Sequence, residues 1–242
     1  MPTSSQTEHQ AFDPNIDKTA IPLWNDAYVN GAENLWGDPP VPAAEAAARV
    51  FKENGAFTVL DMPCGDGRNL PALAEGGRIL LGADTSANAL DISEQVVTRA
   101  GVSQKTALLQ LDAYAMKVPS GSLDGVFCWD LLGHLTEPVR ALHELVRVLR
   151  PGGRLVANMW TMNDCQVNDP NIREVAPRTY IDHFGFYCEF YGRSDIDTLL
   201  DRAGLVAESV VLAQWSEPPH VGYRDYPHDH ESWVITLTKT AS

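Results

Sequence analysis

Between residues 57 and 160 the chain repeats one pattern, a short apolar run followed by a segment with helical spacing, and this alternation restricts the fold more than any other feature. The runs occupy 57–61, 78–84, 107–111, 125–129 and 154–160, each five to seven residues long and rich in Val, Ile, Leu or Phe. Strands buried on both faces read this way. Helices are expected at 43–53, 69–75, 87–100 and 137–149. In the last of these Val139, Leu142, Leu145, Val146 and Leu149 share a face, with Pro138 in the first turn and Pro151-Gly152-Gly153 as the stop. Strands that alternate with helices imply an α/β fold with a doubly wound, mostly parallel sheet. After Trp160 the alternation lapses over 161–193, long enough to be read as a functional insertion. It resumes with a helix at 194–203 and strands at 205–213 and 232–238. Only a turn-rich stretch, 217–230, joins these last two, so they should pair antiparallel.

A chain of 242 residues suits one such domain, expected over 20–242 with 20–54 as an N-terminal cap segment. Residues 1–19 are polar and aperiodic and are expected to form a mobile arm whose removal leaves activity nearly intact. Lys and Arg number 18 against 32 Asp and Glu, a net charge of −14 that repels phosphate backbones, so nucleic acid is not expected as a partner. No apolar run is long enough to span a bilayer and no signal-peptide pattern opens the chain, which reads as cytoplasmic with no membrane partner. Cys64, Cys128, Cys165 and Cys188 form no C-x-x-C pair and read as free thiols.

The sharpest local signal is VLDMPCGDGRN, residues 59–69. Here a buried strand ends at Asp61 and enters a turn containing Gly65 and Gly67, where backbone can approach a ligand closely. Leu70 stands where a dinucleotide fingerprint has its third glycine, which argues against NAD. The second strand ends at Asp84, placed to accept hydrogen bonds from a ribose diol. The third ends next to Asp112, placed to face an exocyclic amine such as that of adenine. Three aspartates then share the carboxyl edge of the sheet, where open α/β sheets bind ligands.

These residues resemble the class I S-adenosylmethionine-dependent methyltransferases, in particular the small-molecule branch called methyltransferase type 11. The family's first motif matches Asp61, Cys64, Gly65, Gly67 and Arg68, with Pro63 where many members carry glycine. Its ribose-binding and adenine-side acids match Asp84 and Asp112, and VPSGSLDGVFCWDLLGHL (118–135) and HELVRVLRPGGRLV (143–156) look like the segments around its fourth and fifth strands. The resemblance implies a Rossmann-like seven-stranded sheet of order 3-2-1-4-5-7-6 with the last strand antiparallel. It also implies S-adenosylmethionine as cofactor, a small-molecule acceptor methylated on N, O or S, and a monomer or homodimer. The cofactor site is expected to comprise Asp61, Pro63, Cys64, Gly65, Asp66, Gly67 and Asn69, then Asp84, Thr85, Asp112 and Ala113, with Trp129 and Tyr28 beside them.

The acceptor is expected between residues 20–40 and 161–193, above the ends of the fourth and fifth strands, walled by Trp24, Trp36, Trp160, Tyr187 and Tyr191. Asp130, His134 and His183 are the candidate catalytic groups should the acceptor need to lose a proton. No metal is expected. Asp130 lacks an acidic partner after the fifth strand, where Asn158 stands, and His228-Asp229-His230 with His220 reads as solvated turn side chains. Two other readings stay open: a non-catalytic S-adenosylmethionine-binding regulatory protein, and an NAD-dependent oxidoreductase.

Overall fold

The computed structural model describes residue 13 and residues 15–30, 35–37, 39–220 and 224–240. Helices α1 (Ile16–Thr19), α2 (Ile21–Asn30) and α3 (Pro42–Glu53) precede a β/α series. The series runs β1 (Thr58–Asp61), α4 (Leu70–Leu73), β2 (Ile79–Asp84), α5 (Ala87–Arg99), β3 (Thr106–Gln110), β4 (Leu123–Cys128), α6 (Pro138–Val148) and β5 (Leu149–Trp160). Then come β6 (Arg173–Ala176), β7 (Thr179–Ile181), β8 (Tyr187–Glu189), α7 (Arg193–Ala203), β9 (Ser209–Glu217) and β10 (His228–Thr238). The main sheet has the order β3-β2-β1-β4-β5-β10-β9. Strand β10 is antiparallel to both neighbours and the remaining pairings are parallel. This is the expected seven-stranded order.

Alternation along the central strands explains why both faces are covered. Val59, Phe127 and Val156 belong to one apolar cluster with Ala44, Ala47 and Phe51 of α3. Their neighbours Leu60, Val126, Cys128, Leu155 and Ala157 belong to another with Leu142 and Leu145 of α6 and Ile196 and Leu199 of α7. Successive side chains of a strand point to opposite faces, so each run feeds two cores.

Several elements differ from expectation. Helix α4 is a single turn, Leu70–Leu73, because Gly76 and Gly77 follow at once with left-handed φ values of 78° and 81°. Strand β5 begins at Leu149 and absorbs Pro151-Gly152-Gly153 as an irregularity opposite Leu123 and Gly125. Strand β9 runs to Glu217 and β10 starts at His228, with Glu217 opposite His228. The polar HDH run is therefore strand, since hydrogen bonding along β9 sets its conformation. The insertion 161–193 forms its own three-stranded antiparallel sheet, β6-β7-β8. Most of the arm, residues 1–12 and 14, lies outside the described residues, but 16–19 form α1, which is anchored. Thr136 N donates to Asp17 Oδ2 at 3.0 Å, Tyr114 Oη also donates to Asp17, and Lys18 pairs with Glu137 at 3.0 Å.

Candidate active site

One cavity opens along the carboxyl edge of the sheet. Its floor starts at the turn after β1, where Gly65 has φ 53° and Gly67 has φ 87°, values that side-chain-bearing residues rarely adopt. The two glycines serve different ends. Gly65 lines the cavity, and a Cβ there would stand 2.9 Å from Tyr28 Oη. Gly67 does not line it; a Cβ there would stand 2.8 Å from Ser93 Oγ and 2.9 Å from Ser93 Cα, so this glycine lets the turn close onto α5.

Asp84 ties the second strand to that turn. Its Oδ2 accepts from Gly65 N at 3.0 Å and its Oδ1 from Ser86 N at 2.9 Å. Burial raises its pKa to about 6 despite these hydrogen bonds. Asp61 is fully buried, neither carboxylate oxygen has a hydrogen-bond partner among the described residues, and burial followed by repulsion from Asp84 pushes its pKa well up. Asp66, also buried and raised by burial, accepts weakly from Trp36 N at 3.3 Å. Three buried carboxylates here thus lack full compensation, an environment suited to a cationic ligand rich in donors. Asp112 spends one oxygen on Tyr114 N at 2.8 Å and is exposed.

Across β4 the cavity changes character. Asp130 holds a left-handed φ of 54°, and its Oδ1 accepts from Asn158 Nδ2 at 2.7 Å and Trp160 Nε1 at 2.8 Å. His134 Nδ1 lies 2.7 Å from the Tyr187 carbonyl, which can only accept, so Nδ1 carries the proton and Nε2 is an acceptor. Burial lowers the His134 pKa to about 4. Trp24 and Trp160 meet the His134 ring edge-on, at centroid distances of 5.0 and 4.7 Å, and Trp24 stacks on Phe186 at 3.7 Å. Trp36 Nε1 donates to Tyr28 Oη at 2.8 Å, which fixes α2 against the segment after it.

The cavity gathers Trp24, Tyr28, Trp36, Pro63, Cys64, Gly65, Asp66, Asn69, Asp84, Thr85, Asp112, Ala113, Trp129, Asp130, His134 and Trp160. Asp61, Gly67, His183, Tyr187 and Tyr191 do not line it. His183 turns to Asp169, Nδ1 to Oδ2 3.4 Å, and to the Phe184 ring, while its neighbour Asp182 lines the cavity. Tyr187 and Tyr191 both donate to Glu189 Oε2, at 2.9 and 2.7 Å, and so brace β8 rather than wall a pocket. Glu217, His220, His228 and His230 line the cavity although sequence reasoning gave them no part in the site, and Arg68 of the glycine motif lines it too. The i, i+2 spacing of His228 and His230 puts both on one face once that run is strand.

A glycine turn after β1, an acid ending β2 and an aromatic chamber over β4 and β5 thus share one cavity at the edge of an α/β sheet. Residues 60–157 match the family model of the methyltransferase domain, type 11. Methyltransferase GfsG of Streptomyces halstedii is 30% identical over 130 residues, 50% of this chain and 47% of that protein. A ubiquinone biosynthesis O-methyltransferase of Thiobacillus denitrificans is 26% identical over 85% of this chain and 82% of its own. The chain thus spans about half the length of the first relative and most of the second. The fold is shared with the Burkholderia thailandensis 1,6-didemethyltoxoflavin-N1-methyltransferase, solved with its acceptor and S-adenosylhomocysteine: TM-score 0.60, 17% identity, 100% of this chain and 93% of that one. Among the described residues no helix is long and apolar enough to cross a membrane.

Proposed function

We propose that the protein transfers a methyl group from S-adenosylmethionine to an N, O or S atom of a small, flat acceptor. The observation that carries this reading is the pair of buried, under-compensated carboxylates that line the cavity at the glycine turn, Asp66 and Asp84, with buried Asp61 behind them. A ligand bearing a sulfonium, an ammonium and a ribose diol supplies the positive charge and the donors that such a site lacks. Names of similar proteins point the same way: an O-methyltransferase of ubiquinone biosynthesis, and an N1-methyltransferase crystallised with bound 1,6-didemethyltoxoflavin and S-adenosylhomocysteine.

S-adenosylmethionine, when bound, supplies an electrophilic methyl group on a positively charged sulfur. The chain's own contribution is positioning. Asp84 accepts from the ribose hydroxyls, Asp112 and Ala113 border the adenine, and Tyr28 and Trp36 close over Gly65. The acceptor lies among Trp24, Phe186, Trp160 and His134, where apolar rings exclude water and orient a flat molecule. Asp130 has one carboxylate oxygen fixed by Asn158 and Trp160, which leaves the other for an acceptor hydroxyl or amine. His134 stays neutral at physiological pH and presents Nε2 as a hydrogen-bond acceptor, a group that orients more than it deprotonates. Incubation with methyl-labelled S-adenosylmethionine and a panel of phenols, quinols, heteroaromatic amines and thiols tests the reading. Label transfer to one class supports it, and nucleoside binding without transfer to any class favours the regulatory alternative.

A further inference from the structure

The half of the sheet opposite Asp84 carries a second cluster. Strand β10 is antiparallel to β5, so it starts at the edge where β1, β2 and β4 end, and β9 finishes there too. Glu217, the last residue of β9, lies opposite His228, the first of β10, and His220 follows three residues after Glu217. All three are buried, all three line the cavity, and one donor atom from each falls within 4.8 Å of the others. His228 Nδ1 stands 3.0 Å from the Tyr226 carbonyl and therefore carries the proton. Its Nε2, stripped of hydrogen, has no hydrogen-bond partner among the described residues. His220 Nδ1 has none either, while its Nε2 stands 2.9 Å from Glu217 Oε2. Glu217 Oε1 accepts from Trp215 Nε1 at 3.0 Å, and Arg68 spans both carboxylate oxygens at 3.2 Å.

Bare imidazole nitrogens are costly to bury, and here His228 is oriented from behind by a carbonyl and Glu217 by an indole and a guanidinium. We propose that Glu217, His220 and His228 bind a divalent transition-metal ion whose remaining coordination positions open into the cavity, at its acceptor end. Two imidazoles and one carboxylate suit Zn²⁺, Fe²⁺ or Co²⁺, whereas Mg²⁺ and Ca²⁺ take oxygen ligands. A second grouping, Cys165 with His228 and His230, shares His228. It is the poorer site. Cys165 does not line the cavity and its Sγ receives Arg224 Nη1 at 2.6 Å, while His230 Nδ1 is 3.0 Å from Asp164 Oδ2.

The test uses tag-free, full-length protein stripped with a chelator and titrated with Co²⁺, followed by visible absorption, and with Zn²⁺, followed by calorimetry. One ion per chain is expected, with no sulfur-to-cobalt charge-transfer band and with Co²⁺ displaced by Zn²⁺. His228→Ala and Glu217→Gln should each weaken Co²⁺ binding about tenfold or more, and Cys165→Ser should leave it unchanged. Melting curves of the metal-free samples check the fold of each variant, and His220→Asn replaces any variant that fails to fold. Failure of the wild type to bind either ion overturns the proposal. So does binding undiminished in the Glu217 and His228 variants, or a charge-transfer band that Cys165→Ser removes. Because metal binding is read without methyl transfer or nucleoside, its failure leaves the reading of the cofactor site untouched.

Discussion

Asp84 Oδ2 accepts the Gly65 N–H at 3.0 Å, so the carboxylate that ends β2 also holds the turn that follows β1. One side chain thereby sets both the ligand-facing charge and the shape of the loop beneath it. Asp84→Ala should lower affinity for S-adenosylhomocysteine by about 1.5–3 kcal/mol, roughly ten- to a hundredfold, as expected for hydrogen bonds to a charged group. Calorimetry measures this, and an unchanged affinity would remove Asp84 from the site.

The raised Asp84 pKa, about 6, gives a pH dependence of definite sign. Ribose hydroxyls are held by the ionised form, so nucleoside affinity is full above pH 6 and falls below it, by about tenfold at pH 5 from this group alone. The ligand-free fold responds oppositely. Ionising a carboxyl whose pKa is raised by burial costs stability, so this group's cost is relieved as pH falls through 6 toward its ordinary value of 3.8. Affinity that rises on acidification from pH 7 to pH 5 would contradict the assignment.

Gly67→Ala should act on the fold and Gly65→Ala on the site. A methyl at Gly67 strikes the backbone of Ser93 in α5 at a left-handed φ, whereas one at Gly65 strikes Tyr28 Oη in the cavity wall. Thermal melts should show the larger loss for Gly67→Ala, on the order of 2 kcal/mol or more. Nucleoside affinity corrected for folding should drop chiefly for Gly65→Ala. The reverse ranking would mean that Gly67, as its sequence position suggested, is the residue that meets the ligand.

His134 contributes stability with a sign opposite to that of Asp84. Its folded pKa of about 4 lies below the ordinary value of 6.5, so its contribution is complete above pH 6.5 and is lost as pH falls toward 4. His134→Asn should flatten that part of the stability profile, keep nucleoside affinity within about twofold, and cut turnover about tenfold or more through lost acceptor orientation. A turnover limb near pH 6.5 that disappears in His134→Asn would show instead that the imidazole titrates as an ordinary base.

Truncation through Phe12 should leave nucleoside affinity unchanged, whereas truncation through Thr19 should lower it about tenfold or more, since it removes Asp17 from the cavity wall and from Tyr114 and Thr136. Equal affinity in the two truncations would restore the view of residues 1–19 as a dispensable arm.

The sheet was legible because its signal is local. Val59, Leu60 and their counterparts are apolar without interruption, and Asp61, Asp84 and Asp112 each stand at or just past the end of such a run. The cavity residues contributed by β1, β2 and β4 were legible for the same reason, since the sheet edge fixes their place. The rest depended on contacts that spacing does not encode. His228 and His230 look like turn residues until the ladder with β9 makes them strand. Tyr187 and Tyr191 look like pocket aromatics until Glu189, between them in sequence, takes both hydroxyls. Asp17 sits in a polar stretch with no periodicity, and contacts with Tyr114 and Thr136, 97 and 119 residues away, show why it is held.

The central claim is that the glycine turn with Asp84 is a site for S-adenosylmethionine. Calorimetric titration of the purified full chain with S-adenosylhomocysteine, and in parallel with NAD, tests it most directly. The account predicts one S-adenosylhomocysteine per chain, weakened at pH 5 and in Asp84→Ala, and no heat of binding from NAD. Saturable binding of NAD with none of S-adenosylhomocysteine would contradict it.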